Sequence, residues 1–164
     1  GVIEGKKFLI GPRATYFNSL TTVGATNYQA LFTVMNPRIY AGVSNQTVIN
    51  IQSFSGALKH TSPCIYYIIK NGALLGNPNF NIYSANTCGL YDTVATTVTF
   101  ATNDQLLYTF HLGDTGEVDH HFTTGELNGD EFTLQPGEWI TVAAKAVTGT
   151  PSYVTGSLNT REDQ

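Results

Sequence analysis

Charge is scarce in this sequence. Only 12% of the 164 residues are Asp, Glu, Lys or Arg, about half of the roughly 25% found in typical soluble domains. Eight basic residues stand against twelve acidic ones, so the formal net charge is −4. Because nucleic-acid binding depends on a surplus of basic side chains that displaces counterions, we expect no nucleic acid among the partners.

Long apolar runs are also missing. No run approaches the roughly 18 residues of a membrane-spanning helix, and residues 1–7 contain no apolar segment of the kind that forms a signal peptide. The hydrophobic share of 41% is nevertheless too high for a disordered chain. The sequence predicts a folded, soluble protein without membrane insertion.

Cysteine is limited to Cys64 and Cys88. Two cysteines are too few for a disulfide-stapled scaffold, and Cys64 lies in an apolar run where a free thiol would pack as a small hydrophobic group. Free thiols are favoured, and a disulfide between the two remains an alternative.

Helical periodicity is absent, whereas short runs rich in Val, Ile, Thr, Tyr and Phe recur between Gly, Asn, Pro and Asp clusters. This pattern is typical of an all-β sandwich or barrel. We expect strands near residues 7–10, 28–35, 47–54, 64–70, 79–84, 94–101, 105–112, 131–134, 139–147 and 152–158. In the strand near 105–112, alternation places Leu106, Tyr108 and Phe110 together on the core side. The length favours one domain, with residues 1–26 as an extended N-terminal arm and residues 27–164 as the sandwich.

Residues 64–70 are apolar on both faces of a predicted strand. An antiparallel strand with one solvated face alternates apolar with polar residues, so this strand needs a second cover, which we expect from another copy of the chain. The residues expected at this interface are Ile65, Tyr67, Ile69 and Ala143. Ala143 is included because small side chains on the strand at 139–147 would let a second sheet or subunit approach closely.

The run Asp119-His120-His121 contains the densest set of metal-binding side chains. Neighbouring residues of an extended segment point to opposite faces, however, so a solvated loop is favoured over a metal site. A ring of histidines from several subunits is the alternative. No known catalytic or cofactor-binding motif occurs in the sequence, and we expect a non-enzymatic protein without metal or cofactor.

Tyrosines in loops offer a different kind of contact. Tyr83 and Tyr91 could stack on sugars, although tyrosines also fill sandwich cores and interfaces. Together with His120 and His121 they are the candidates for contact with a ligand.

Residues 134–145 and 149–164 resemble the closing strands of structural proteins from tailed-phage virions, and residues 69–76 resemble a hairpin of their jelly-roll modules. The resemblance implies an antiparallel jelly-roll sandwich that works in the virion as a capsid decoration protein or fibre head. Its partners would be itself, as a homotrimer, and viral capsid or tail proteins. A receptor- or carbohydrate-binding jelly roll, with a host surface glycan as partner, is the alternative.

A decoration protein also needs an attachment point. If the N-terminal arm reaches a neighbouring capsid subunit, apolar side chains would offset the entropy lost when the arm becomes ordered. The predicted anchors are Phe8, Ile10, Tyr16 and Phe17.

Overall fold

The computed structural model describes residues 11–21, 24–59, 63–113, 116–122, 132–148 and 152–163. These ranges contain fifteen strands and one 3-10 turn at Asn103–Gln105. The strands are β1 (Arg13–Thr21), β2 (Tyr28–Met35), β3 (Ile39–Tyr40), β4 (Val43–Ser44), β5 (Val48–Lys59), β6 (Cys64–Lys70), β7 (Ala73–Leu75), β8 (Asn81–Ile82), β9 (Leu90–Asp92), β10 (Thr97–Thr99), β11 (Leu106–Leu112), β12 (Glu117–His121), β13 (Thr133–Leu134), β14 (Trp139–Ala146) and β15 (Tyr153–Asp163).

Two antiparallel sheets form the body of the protein. Sheet I has the strand order β1-β15-β5-β12, with β13 also paired to β5. Sheet II has the order β11-β6-β14-β2-β10-β7, and β9, which also pairs with β8, joins it at β2. No helix among the described residues is long and apolar enough to cross a membrane.

The strand order is that of a jelly roll. If β1, β2, β5, β6, β11, β12, β14 and β15 are renumbered one to eight along the chain, sheet I reads 1-8-3-6 and sheet II reads 2-7-4-5. Two interleaved Greek keys in two sheets define this fold. The prediction of an all-β, antiparallel jelly-roll sandwich is therefore confirmed.

The core lies between the inner faces of the two sheets. Strand alternation is regular in β15, where every second residue is buried. Aromatic rings fill much of the space, and the Phe54 ring stacks on Phe110 with 5.1 Å between centroids. The largest fully buried side chains are Tyr16, Tyr66, Phe32, Phe54, Leu31, Ile49, Ile51, Ile68, Ile69, Leu134, Ile140 and Leu158.

The first described strand belongs to the sandwich. β1 pairs with β15 along its whole length, from Arg13 opposite Arg161 to Thr21 opposite Tyr153, and Tyr16 is fully buried. Residues 13–21 are therefore part of the sandwich, and not of an N-terminal arm that ends at residue 26. The predicted strand at 7–10, with the anchors Phe8 and Ile10, lies outside the described residues.

The second face of β6 is covered by the chain itself. Residues 71–105 form an excursion between β6 and β11 that extends sheet II beyond β2 through β9, β10 and β7. It folds back over the outer face of β6, where Val98 of β10 packs with Ile69 and Ala143 in a fully buried cluster. Leu74 and Phe100 of the same excursion pack against that cluster. The expectation that a sister subunit covers Ile69 and Ala143 is therefore wrong, because both are already 0% exposed within one chain.

Part of the same face stays accessible to solvent. Ile65 and Tyr67 are half-buried. The Tyr67 ring meets Tyr28 edge-on at 4.8 Å, and the Lys145 ammonium lies 3.7 Å from the centre of the Tyr28 ring. This cation–π contact lies at the edge of the buried cluster of Ile69, Val98 and Ala143, against which Tyr28 and Tyr67 pack.

The two ends of the sandwich differ in the length of their connections. At the short end, the last residue of β14 and the residue after it are hydrogen-bonded to neighbouring loops, from Ala146 N–H to the Gly24 carbonyl at 3.2 Å and from Val147 N–H to the Pro63 carbonyl at 2.9 Å. At the long end, residues 36–47 and the excursion 71–105 extend from the two sheets.

Candidate functional site

A short hairpin projects from the long end. β3 and β4 pair only with each other, with Tyr40 opposite Val43. The φ angles of Ala41 and Gly42 are +53° and +81°, as a two-residue type I′ turn requires. The apolar side chains of this hairpin point to solvent, because Ile39 and Val43 are each 67% exposed and Tyr40 is 39% exposed.

A buried amide network holds the base of the hairpin. Asn36 is fully buried, and its Nδ2 donates to the carbonyls of Thr47 at 2.8 Å and Leu134 at 2.7 Å. Asn45 Nδ2 donates to Asn36 Oδ1 at 2.6 Å, and Asn45 Oδ1 accepts the Thr47 N–H at 3.0 Å. Because unpaired buried amides are costly, these hydrogen bonds fix the two ends of the hairpin in one arrangement.

The network continues to a buried carboxylate. The Cys88 thiol donates to Asn36 Oδ1 at 3.5 Å, and the backbone N–H groups of Cys88 and Gly89 donate to the Glu162 carboxylate at 3.0 Å and 3.3 Å. Burial, and then the negative charge of Glu162, raise the pKa of the Cys88 thiol to about 12. Since the thiolate is the nucleophile, the raised pKa makes this thiol a poor nucleophile near neutral pH.

Cys64 and Cys88 are both buried, and no disulfide joins them. Burial also raises the pKa of the Cys64 thiol. The sequence-based preference for free thiols over a disulfide agrees with this arrangement.

Exposed apolar side chains elsewhere are scattered. Leu75, Ile82 and Val94 lie along the excursion, Phe17 lies on β1 and Val147 lies at the short end. Single exposed apolar residues are ordinary on a protein surface. Three of them on the six residues 39–44 are unusual, so this hairpin is the candidate functional surface.

The predicted ligand contacts Tyr83 and Tyr91 hold the first strand in place. Tyr83 Oη donates to the Thr15 carbonyl at 2.5 Å, and Tyr91 Oη donates to the Phe17 carbonyl. The Tyr83 ring lies 4.5 Å from the Tyr16 ring. The geometry matches the packing alternative for both tyrosines.

Tyr16 and Phe17, two of the predicted anchors, point in opposite directions. Tyr16 is 0% exposed in the core, whereas Phe17 is 63% exposed on the outer face of sheet I. Strand alternation in β1 imposes this separation. Tyr16 is therefore not available as an anchor, and Phe17 is.

The two predicted histidines also lie on opposite faces. The His120 ring packs inward, 4.9 Å from the Tyr108 ring and 5.0 Å from the Phe122 ring. His121 is exposed, with its Nε2 3.7 Å from Asp119 Oδ1. In the part of the chain that the structure describes, no three His, Cys, Asp or Glu side chains come together as a metal site would require.

Sequence reasoning missed the hairpin entirely. Its signal was present, because Gly42 allows a tight turn and apolar residues flank it on both sides. The segment is too short to show strand periodicity, so only the pairing of β3 with β4 reveals it.

No protein-family model matches the chain, and no curated protein sequence matches it. Among solved structures, it is similar to a chain of the full particle of Israeli acute paralysis virus heated to 63 degrees, with 10% identity, a TM-score of 0.34, and coverage of 91% of this chain and 67% of that one. It is also similar to a chain of mud crab dicistrovirus, with 8% identity, a TM-score of 0.26, and coverage of 92% and 68%. TM-scores this low do not establish a shared fold, and the jelly-roll assignment rests on the strand order.

Proposed function

We propose that this protein is a non-enzymatic structural subunit of a virion and that it works through contacts with neighbouring subunits. The observation that carries the proposal is the hairpin at residues 39–44, which presents Ile39, Tyr40 and Val43 to solvent. Its base is fixed by buried hydrogen bonds, so docking it into a neighbour would cost little conformational entropy.

The fold and the composition are compatible with this role. Jelly rolls occur in viral capsid and lectin domains, although a fold alone does not fix a function. The domain has few charged residues, and residues 71–105 cover the outer apolar face of β6. A protein packed in this way should unfold slowly, as a particle that persists outside a cell requires. The resemblance of residues 134–145 and 149–164 to structural proteins of tailed-phage virions supports the same role.

The finer form of the proposal is a capsid decoration or fibre-head subunit that forms a homotrimer and contacts capsid or tail proteins. It is supported by the resemblance to tailed-phage structural proteins. Phe17, Ile65 and Tyr67 are the predicted contact residues that remain accessible to a neighbour.

Multi-angle light scattering at increasing protein concentration tests assembly. The wild-type chain is expected to form a discrete oligomer, and the double variant Ile39→Ser/Val43→Ser is expected to shift it towards the 17.8 kDa single chain. Val147→Ser is the matched control, because Val147 is 54% exposed at the opposite end of the sandwich.

A wild-type chain that stays at the single-chain mass at every concentration would contradict assembly through the hairpin. An oligomer that the double variant leaves intact would do the same. Electron microscopy of purified virus particles from the source of this sequence, labelled with an antibody to the chain, tests the virion location. Label on the shell lattice or at a fibre tip is expected, and particles without label would contradict that location.

A further inference from the structure

The outer face of sheet I forms an open trough of about 960 Å³. Strand register aligns its outward side chains in rows that cross all four strands. One row runs Phe17, Ser157, Ser55 and Asp119, and the next runs Ser19, Thr155, Ala57 and Glu117. In the first row the two central strands carry serines, between Phe17 on β1 and Asp119 on β12, so the middle of the face lies lower than its edges there.

The floor of the trough is rich in hydroxyl groups. Ser55 Oγ and Ser157 Oγ lie 2.6 Å apart and share one hydrogen bond. Each serine hydroxyl offers one donor and two acceptor positions, so the pair keeps one hydrogen and several lone pairs free for a ligand. Thr155 and Ser19 add two further hydroxyls in the next row.

The two walls differ in chemistry. Phe17, which is 63% exposed on the edge strand β1, forms the aromatic wall, and the half-buried Tyr153 lines one end of the trough at the start of β15. Glu117 and Asp119 form an acidic wall on the opposite edge strand. Ionised carboxylates only accept hydrogen bonds, and no lysine or arginine lies among the described residues that line the trough.

These features limit the ligand. Two carboxylates in a trough whose described lining contains no lysine or arginine disfavour phosphate, nucleic acid and acidic sugars. An apolar peptide would desolvate the serine and threonine hydroxyls without pairing them. A neutral sugar avoids both costs, because its hydroxyls can donate to the carboxylates and pair with the serines while its C–H face lies on an aromatic ring.

We propose that this trough binds a neutral saccharide chain, with Phe17 as its stacking platform and Asp119 as its main hydrogen-bond acceptor. The four strands across the trough span about 14 Å, enough for a sugar chain to run between the aromatic and the acidic wall. This inference goes beyond the assembly proposal, because the hairpin at residues 39–44 contributes no residue to the trough.

The test measures binding of the purified full chain to an immobilised panel of neutral, sialylated and sulfated oligosaccharides. An immobilised lysine-rich peptide tests for binding through the carboxylates alone, and an underivatised surface gives the background. Saturable binding to one or more neutral glycans is expected. Phe17→Ala is expected to weaken this binding about tenfold, and Asp119→Asn roughly threefold to tenfold.

Matched controls separate the trough from the rest of the surface. Ile82→Ala removes an apolar side chain that is 75% exposed, and Asp104→Asn removes an exposed carboxylate, both in the excursion 71–105. Both controls are expected to bind like the wild-type chain. Circular dichroism and thermal melting confirm that each variant is folded.

The proposal is overturned by absence of neutral-glycan binding, by binding confined to acidic glycans or to the peptide, or by binding that Phe17→Ala and Asp119→Asn leave unchanged. If Phe17→Ala instead lowers the oligomer mass in light scattering and no glycan binds, the trough is an interface between copies. The hairpin variant Ile39→Ser/Val43→Ser is expected to retain glycan binding, so failure of the assembly proposal leaves this one standing.

Discussion

The two sheets turn chemically different faces outward. On sheet II, Ile69 and Ala143 face outward and are fully buried under Val98 and Leu74 of the excursion. On sheet I, Ser55, Ser157 and Thr155 occupy the outward positions of the central strands and line an open trough. The inner faces of both sheets build the same apolar core. The outward side chains therefore decide which sheet needs a cover: the apolar ones of sheet II do, and the hydroxyl-bearing ones of sheet I do not. Residues 71–105 of the same chain supply the cover of sheet II.

Equivalent substitutions on the two outer faces give the largest expected contrast. Ala143→Lys places a charge in the buried cluster under the excursion, and we expect this variant not to fold, because an unpaired buried charge costs several kcal/mol. Ala57→Lys lies in the open trough opposite Glu117, so its free energy of unfolding should stay within about 0.5 kcal/mol of wild type. Circular dichroism shows whether Ala143→Lys folds at all, and urea denaturation measures the free energy of unfolding of any variant that does. Equal losses would refute the difference between the faces.

Adjacent residues of β1 give the next contrast. Tyr16→Ala removes a fully buried ring and is expected to lower the free energy of unfolding by about 3–5 kcal/mol. Phe17→Ala, on the solvent side of the same strand, should change it by less than about 0.5 kcal/mol. Thermal or urea denaturation separates them. A small effect of Tyr16→Ala would mean that β1 is a detachable arm after all.

A pair of glycines tests how closely the excursion packs on sheet II. A Cβ added at Gly72 would lie 2.6 Å from Val98 Cγ2 and 2.8 Å from Ile69 Cγ2, whereas one added at Gly113 meets nothing within 4 Å. Gly72→Ala is therefore expected to cost about 1–3 kcal/mol, and Gly113→Ala to be neutral or slightly stabilising. If both variants unfold at the wild-type urea concentration, the excursion does not pack tightly.

Alkaline pH tests the contact between the excursion and β15, where the backbone N–H groups of Cys88 and Gly89 donate to the Glu162 carboxylate. The Cys88 pKa is about 12 in the folded chain against 9.0 for a free thiol, so the unfolded state alone ionises between these values. Stability from this group is complete below pH 9 and falls by up to about 1.4 kcal/mol per pH unit above it. Cys88→Ala should therefore lose less stability than wild type between pH 8 and pH 10. Equal losses would place the Cys88 thiol in solvent.

Local patterns predicted the isolated strands well. The expected ranges 28–35 and 64–70 coincide with β2 and β6, because continuous β-branched and aromatic runs carry their own signal. β1 was missed because its pattern is broken on both faces. Phe17 points to solvent, and Asn18 points inward, where its Nδ2 donates to the Leu31 carbonyl at 2.7 Å.

Alternation also failed where the backbone is irregular. The register shift between Leu106 and Tyr108 moves Leu106 to the outer cluster on sheet II, while Tyr108 and Phe110 pack against the main core. A bulge of this kind leaves no signature in residue type. The expectation that all three share the core side is wrong for Leu106.

Two features depend on residues that are distant in sequence: the cover over the outer face of β6, and the trough on sheet I. An apolar run shows that two covers are needed, but it does not show whether the second one is another chain or residues 71–105 of the same chain. The trough joins Phe17, Ser55, Asp119 and Ser157, which meet only through the register of four strands. One-dimensional patterns contain no register between distant strands, so neither feature was predictable from the sequence.

Native-state hydrogen exchange tests most directly the claim that the excursion closes sheet II. The Thr96 N–H donates to the Leu75 carbonyl at 2.9 Å within the excursion, and the Ala30 N–H of β2 donates to the Thr96 carbonyl at 3.0 Å. In a sample dilute enough to have the single-chain mass, both amides are predicted to exchange only with global unfolding, as slowly as the amides of β14. Exchange of these two amides by local opening, orders of magnitude faster than β14, would contradict the claim.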